Sequence, residues 1–117
     1  MKNKRLSNKE RLLHTQKAIQ DIERFMNGID EHEFVTNELI HNAVLMQFII
    51  IGESIAHVED AFIEQYEYPW YRVKSFGNIV VHEYFNIKLS AVWGIIVNDL
   101  SELSLMFFNS LSAWFVV

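Results

Sequence analysis

From Asn37 to Ile63 the chain carries no proline and one glycine, Gly52, and across all 117 residues proline occurs once and glycine four times. Stretches this free of breakers favour helices over strands and turns. Ala43, Val44, Phe48, Ile50, Ile51 and Ile55 supply an apolar side for one long helix from Thr36 or Asn37 to Phe62 or Ile63. The run Phe48–Ile49–Ile50–Ile51 is too apolar for a helix wetted on one face, so it should be covered on two sides. A buried strand is the competing reading of such a run; charged and polar flanks at helical spacing argue against it.

The neighbouring segments read the same way. Ser7–Asn8–Lys9–Glu10 fits a capping box, and Leu12, Leu13, Ile19, Ile22, Phe25 and Met26 follow at helical spacing. Asn27–Gly28 suits a left-handed cap that ends this first helix. Asp30 to Glu33 can cap a short turn of helix. Pro69 suits the first position of a third helix that carries Trp70, Val73, Phe76, Val80 and Val81 inward and ends near Phe85. Asn86 can cap a fourth, from about Lys88 to at least Phe108, with Leu89, Val92, Trp93, Ile96, Leu100 and Leu103 inward. Residues 1–117 then form one all-α domain, an antiparallel bundle of four main helices with short connections.

Composition narrows what such a bundle can do. Half the residues are hydrophobic, enough for a sizeable core. The absence of cysteine excludes disulfides and thiolate metal sites and suits a reducing, cytoplasmic setting. Met1–Lys2–Asn3–Lys4–Arg5 is basic, but no signal-type apolar segment follows it. Leu103 to Val117 is uncharged yet shorter than the ~20 residues of a membrane span, so a buried helix end or a subunit interface is expected there. The net charge of −5 leans against broad electrostatic binding of nucleic acid, so any RNA contact must be local or built with a partner.

The five histidines, His14, His32, His41, His57 and His82, show no metal-ligand spacing; His41 and His57, four turns apart on one helix, cannot share an ion. No metal or cofactor is expected. Glu53 ends the apolar run in Ile51–Gly52–Glu53–Ser54, as a helix-face charge or as a carboxylate lining a cleft. Lys74, Asn78 and His82 are spaced by four and share a face of the third helix, with Ser75 close by. Such a stripe is solvated, paired or lining a site. Tyr84 lies off it and joins His82 only if the helix turns at its end. Arg72 is on a different face again.

The stretch Ser75–Phe76–Gly77–Asn78–Ile79–Val80–Val81–His82–Glu83–Tyr84–Phe85 has a His two residues before a Tyr. With Ala43–Val44, Ile51–Gly52–Glu53, Pro69–Trp70, Val92–Trp93 and Asn98–Asp99–Leu100–Ser101–Glu102–Leu103, it resembles the HepT-like branch of the HEPN proteins. That signature is Arg, four to six residues, His, any residue, Tyr. The resemblance implies a four- to five-helix bundle that dimerises with its motifs meeting in a cleft. It also implies a metal-independent RNase toxin neutralised by a minimal nucleotidyltransferase antitoxin, which transfers AMP to the motif tyrosine. Carried onto this chain, His82 is the general acid/base, Tyr84 the positioning and modifiable phenol, and Asn78 the supporting amide. Lys74, Ser75, Glu53 and Arg72 are candidate substrate contacts, RNA the substrate, and a homodimer and the antitoxin the partners, with no membrane involved. Where the family places its Arg, five positions before the His, this chain has Gly77. Two readings therefore stand: an RNase weakened by loss of the cation, or a non-catalytic partner-binding module with Tyr84 still an AMP acceptor. Restoring the cation with Gly77→Arg is expected to separate them.

Overall fold

The computed structural model describes residues 6–107. The first three helices start where a side chain occupies the unpaired amides of a first turn. Helix α1 (Asn8–Phe25) begins on a complete capping box: Glu10 N donates to Ser7 Oγ at 3.1 Å and Ser7 N to Glu10 Oε1 at 2.9 Å. It closes ahead of Gly28, whose φ of +76° takes the left-handed turn. The carboxylate of Asp30 caps α2 (Glu31–Thr36), and the side chain of Asn37 caps α3 (Glu38–Ala56). Then come α4 (Asp60–Ile63) and α5 (Trp70–His82), with Pro69 ahead of the first turn of α5. Finally α6 (Leu89–Ile95) runs through a π-helical turn (Ile96–Leu100) into α7 (Ser101–Met106), one rod from Leu89 to Met106.

Three pairings place α3 between antiparallel neighbours. Asn8, at the start of α1, bonds Glu59, just past the end of α3, through Nδ2 to Oε1 and through Oδ1 from the Glu59 amide, both at 3.1 Å. Against α5, Phe48 meets Phe76 with ring centroids 4.9 Å apart, and Tyr84 just beyond α5 reaches Asn42 near the start of α3. The core fills the space between these rods: Leu12, Ile19 and Ile22 of α1, Val44, Leu45, Phe48, Ile51 and Ile55 of α3, Trp70 and Val80 of α5, and Val92, Ile96, Leu100 and Leu103 of the last rod. The structure is thus the expected all-α bundle of four main helices, with no strand among the described residues.

Four details depart from the sequence reading. The long helix stops at Ala56 rather than Ile63, because the Asn8–Glu59 pair turns the chain away before α4 begins. Helix α5 ends at His82 rather than Phe85, and Val81 is half exposed instead of inward. Asn86 does not cap the last rod; Lys88 precedes it, with no side-chain cap. Leu13 is exposed and Thr15 takes the buried position, its hydroxyl finding a partner by donating to the Arg11 carbonyl at 3.1 Å. Phe48 and Ile51 are buried and Ile49 and Ile50 are partly covered, so the bundle itself covers much of the apolar run. Helix α3 and the last rod are long and apolar enough to cross a membrane, but each carries core residues of the bundle. Phe108 and most of the uncharged terminal stretch lie outside the described residues.

Candidate functional site

The end of α5 decides where the His and Tyr of the motif go. The Glu83 amide still bonds the Ile79 carbonyl at 2.8 Å, but Glu83 has left helical geometry (φ −116°, ψ 24°), and Asn86 N closes a turn onto the Glu83 carbonyl at 2.9 Å. His82 is therefore the last helical residue and points to solvent, with no hydrogen-bond or ion-pair partner among the described residues. Tyr84 is swung back against α3, half-buried, and donates its hydroxyl proton to Asn42 Oδ1 at 2.6 Å. The turn thus sends the two side chains different ways, His82 outward from α5 and Tyr84 back toward α3.

Around Tyr84 lies an open cavity of about 320 Å³, lined by Glu38, His41, Asn42 and Leu45 of α3 and by Tyr84, Phe85, Ile87 and Leu89. His41 Nδ1 lies 3.0 Å from the Phe34 carbonyl oxygen of α2, and its ring stands edge-on to Phe34 with centroids 6.2 Å apart. Among the described residues Phe85 (96% exposed) and Leu39 (85%) are the most exposed large apolar side chains, Phe85 on the cavity wall and Leu39 beside Glu38. Tyr84→Phe removes only the hydroxyl. Because the bond is solvent-accessible, its loss is expected to cost at most about 1 kcal/mol, read as a fall in melting temperature of no more than about 4 °C for a chain this size.

The remaining candidates are dispersed. Asn78 and Ser75 are exposed on the outward side of α5, the side that bears His82. Lys74 is half-buried and reaches Asp60 of α4 at 3.7 Å, two turns and about 12 Å along the axis from His82. Glu53 is exposed and lines neither the Tyr84 cavity nor the one at Arg72; its carboxylate faces His57 Nδ1 at 3.5 Å, as a charge on the helix face.

Arg72 lies at a separate cavity of about 220 Å³ between α3, α5 and the last rod, floored by Phe48 and Phe76 and edged by Tyr68, Asp99 and Glu102. Its guanidinium sits by the Tyr71 ring, and that contact, followed by the Asp99 and Glu102 carboxylates, raises its already high pKa. Burial, and then the charges of Glu102 and Asp99, push the Tyr68 phenol above the usual range. Neither His82 nor Tyr84 lines this cavity. Among the described residues, no three His, Asp or Glu side chains gather as a metal site.

Gly77 is buried at the crossing of α5 with α3. A Cβ built on it would stand 2.8 Å from Gly52 Cα, and a Cβ on Gly52 would meet Gly77 Cα at the same distance. Position 77 therefore faces a neighbouring backbone and not the His82 stripe. Sequence reasoning also passed over His41 and Asn42. His41 was weighed only as a metal ligand, and nothing local marks Asn42, which meets Tyr84 across 42 residues of chain.

Comparison with known proteins adds the family. The family model described as Ribonuclease HepT-like matches residues 15–107. A Methanocaldococcus jannaschii protein named "Putative RNase MJ1380" is 31% identical over 74% of this chain and 80% of its own length. A Thermococcus cleftensis protein named "Probable ribonuclease HepT" is 26% identical over 83% of this chain and 89% of its own. No solved structure matches the chain.

Proposed function

The chain belongs to the HepT-like ribonuclease family, and on that premise we propose that it is an RNA endonuclease that cuts without a metal, the toxin of a toxin–antitoxin pair. The observation that carries this reading is a solvent-facing His82 at the end of α5, two residues before Tyr84, which the turn after α5 holds against Asn42. Histidine is the side chain suited to proton transfer near neutral pH, and here it is open to substrate. Tyr84, two residues on, offers a phenol held by Asn42 and able to position a phosphate or to accept a nucleotidyl group. Asn78, one turn before His82 on the same outward side, can donate an amide hydrogen to a phosphate oxygen.

The partners proposed are RNA, a second copy of the chain and a minimal nucleotidyltransferase antitoxin, all in the cytoplasm. Exposed Phe85 and Leu39 next to the Tyr84 cavity supply the apolar contact that a partner surface needs. A net charge of −5 makes the dimer cleft, rather than a broad basic face, the place for RNA.

The test is cleavage of labelled RNA in EDTA by the wild-type protein and by His82→Ala. General acid–base catalysis contributes roughly 10²–10⁴-fold, so the mutant should fall by that factor while keeping its fold by circular dichroism. Equal cleavage by the two proteins would remove His82 from the chemistry.

A second reading is favoured by one observation, the burial of Gly77. With no guanidinium at this position, charge on the phosphorane-like transition state lacks its bidentate partner. The chain would then act as a partner-binding module whose Tyr84 accepts AMP. A wild-type protein that leaves RNA intact, yet takes up labelled AMP from the nucleotidyltransferase at Tyr84 and not in Tyr84→Phe, would establish it.

A further inference from the structure

The imidazole that shares a cavity with Tyr84 is His41, on α3, while His82 lies two residues before Tyr84 on the outer side of α5. The Phe34 contact fixes which nitrogen of His41 is available. A carbonyl oxygen can only accept, so the proton in the 3.0 Å contact belongs to Nδ1. A neutral ring with its proton on Nδ1 presents Nε2 as a bare acceptor. The edge-on packing against the buried Phe34 ring holds that orientation from a second direction. An imidazole on a cavity wall, with one nitrogen anchored to a fixed acceptor and the other bare in the neutral form, is arranged as a general base.

Cutting RNA without a metal needs a base for the ribose 2′-hydroxyl and an acid for the departing 5′-oxygen. One imidazole does not lack and hold the same proton in a single step. We propose that His41 is the general base of this site and His82 its general acid; the assignment rests on the RNase reading. His41 Nε2 takes the 2′-hydroxyl proton as O2′ forms a bond to phosphorus. The bond from phosphorus to O5′ breaks, and O5′ leaves with a proton from the His82 imidazolium. The products are a 2′,3′-cyclic phosphate and a 5′-hydroxyl, and solvent exchange returns both rings to their starting states. The chain permits the pairing: two residues place the Cα atoms of His82 and Tyr84 within about 7 Å of each other, although His82 is not part of the lining of the cavity that Tyr84 and His41 share.

Two measurements test the assignment. In cleavage assays His41→Ala should lower kcat by about 10²- to 10⁴-fold with KM nearly unchanged, and added imidazole, admitted by the open cavity, should recover about tenfold or more of the lost rate. Recovery by a small diffusible base is not expected of a residue that serves only the fold, so a folded His41→Ala that ignores imidazole overturns the proposal, as does one with wild-type kcat. Nitrogen NMR of the wild-type protein reads the ring itself. The neutral ring should carry its proton on Nδ1, and a 2′-deoxy analogue of the RNA substrate should shift the Nε2 resonance. A proton on Nε2, or no shift with the analogue, overturns the role of His41 whether or not RNA is cut. Wild-type protein that does not cut RNA overturns the RNase reading, and the base role with it, even where the NMR results are as expected.

Discussion

Gly77→Arg is expected to destabilise the protein by at least about 3 kcal/mol, a fall in melting temperature of roughly 12 °C, and not to raise cleavage. The sequence reading treats this substitution as the restoration of a missing cation. The structure gives position 77 a different environment. The Cβ that any side chain must add would sit 2.8 Å from Gly52 Cα and within 3.5 Å of the Gly52 amide nitrogen and the Phe48 carbonyl oxygen. All three are backbone atoms in the middle of α3, which cannot swing aside as a flexible side chain can. The guanidinium would follow into a packed helix crossing, and burying a charge there is costly. Gly77→Ala isolates the steric part. Helix propensity alone favours Ala over Gly by about 1 kcal/mol, whereas overpacking costs about 1–3 kcal/mol. Steric cost should win, and thermal denaturation should show Gly77→Ala below wild type. A melting temperature above wild type for Gly77→Ala would show that the helices separate easily. In that case Gly77→Arg would regain its value as a test of latent activity.

That correction marks where the sequence ceases to be legible. Features set by neighbouring residues are readable: the Ser7–Glu10 box, the Asn37 cap, the left-handed Gly28 and the Pro69 start each require only a few adjacent side chains. Features set by distant residues are not. The break after Ala56 depends on Asn8, 51 positions before Glu59, and no turn residue announces it. The end of α5 at His82 depends on Tyr84 finding Asn42, since Glu83 is not a residue that ordinarily stops a helix. The π turn at Ile96–Leu100 keeps Ile96 and Leu100 both buried, an adjustment made to fit the bundle rather than to satisfy local preference. The same division runs through the site. His82 and Tyr84 stand out as a motif two residues apart, whereas His41 and Asn42 acquire meaning only when α3 is laid against the turn after α5. In the sequence Gly52 is a lone glycine in a long helix and Gly77 a loss in a motif; together they are the contact that lets α3 and α5 touch.

Phe34→Ala should be the most damaging of the simple core truncations near the site, and it tells a failed scaffold apart from a failed base. The Phe34 ring is fully buried, with His41 on one side and Trp93 on another, each at a centroid distance of 6.2 Å. It therefore joins the short α2 to both α3 and the last rod. Removing such a ring costs about 3–5 kcal/mol through lost transfer energy and the cavity left behind, or roughly 12–20 °C in melting temperature. The Phe34 carbonyl, which orients His41, survives the substitution chemically, but α2 loses the anchor that aims it. Cleavage should therefore fall in Phe34→Ala as it does in His41→Ala, for a different reason. In Phe34→Ala the imidazole is present and misdirected, so added imidazole should recover little, and a milder Phe34→Leu, costing about 1.5 kcal/mol or less, should return most of the activity. If Phe34→Ala instead keeps wild-type cleavage despite its lower melting temperature, the orientation of His41 does not depend on α2. The Phe34 carbonyl would then lose its place as the contact that fixes the proton on Nδ1.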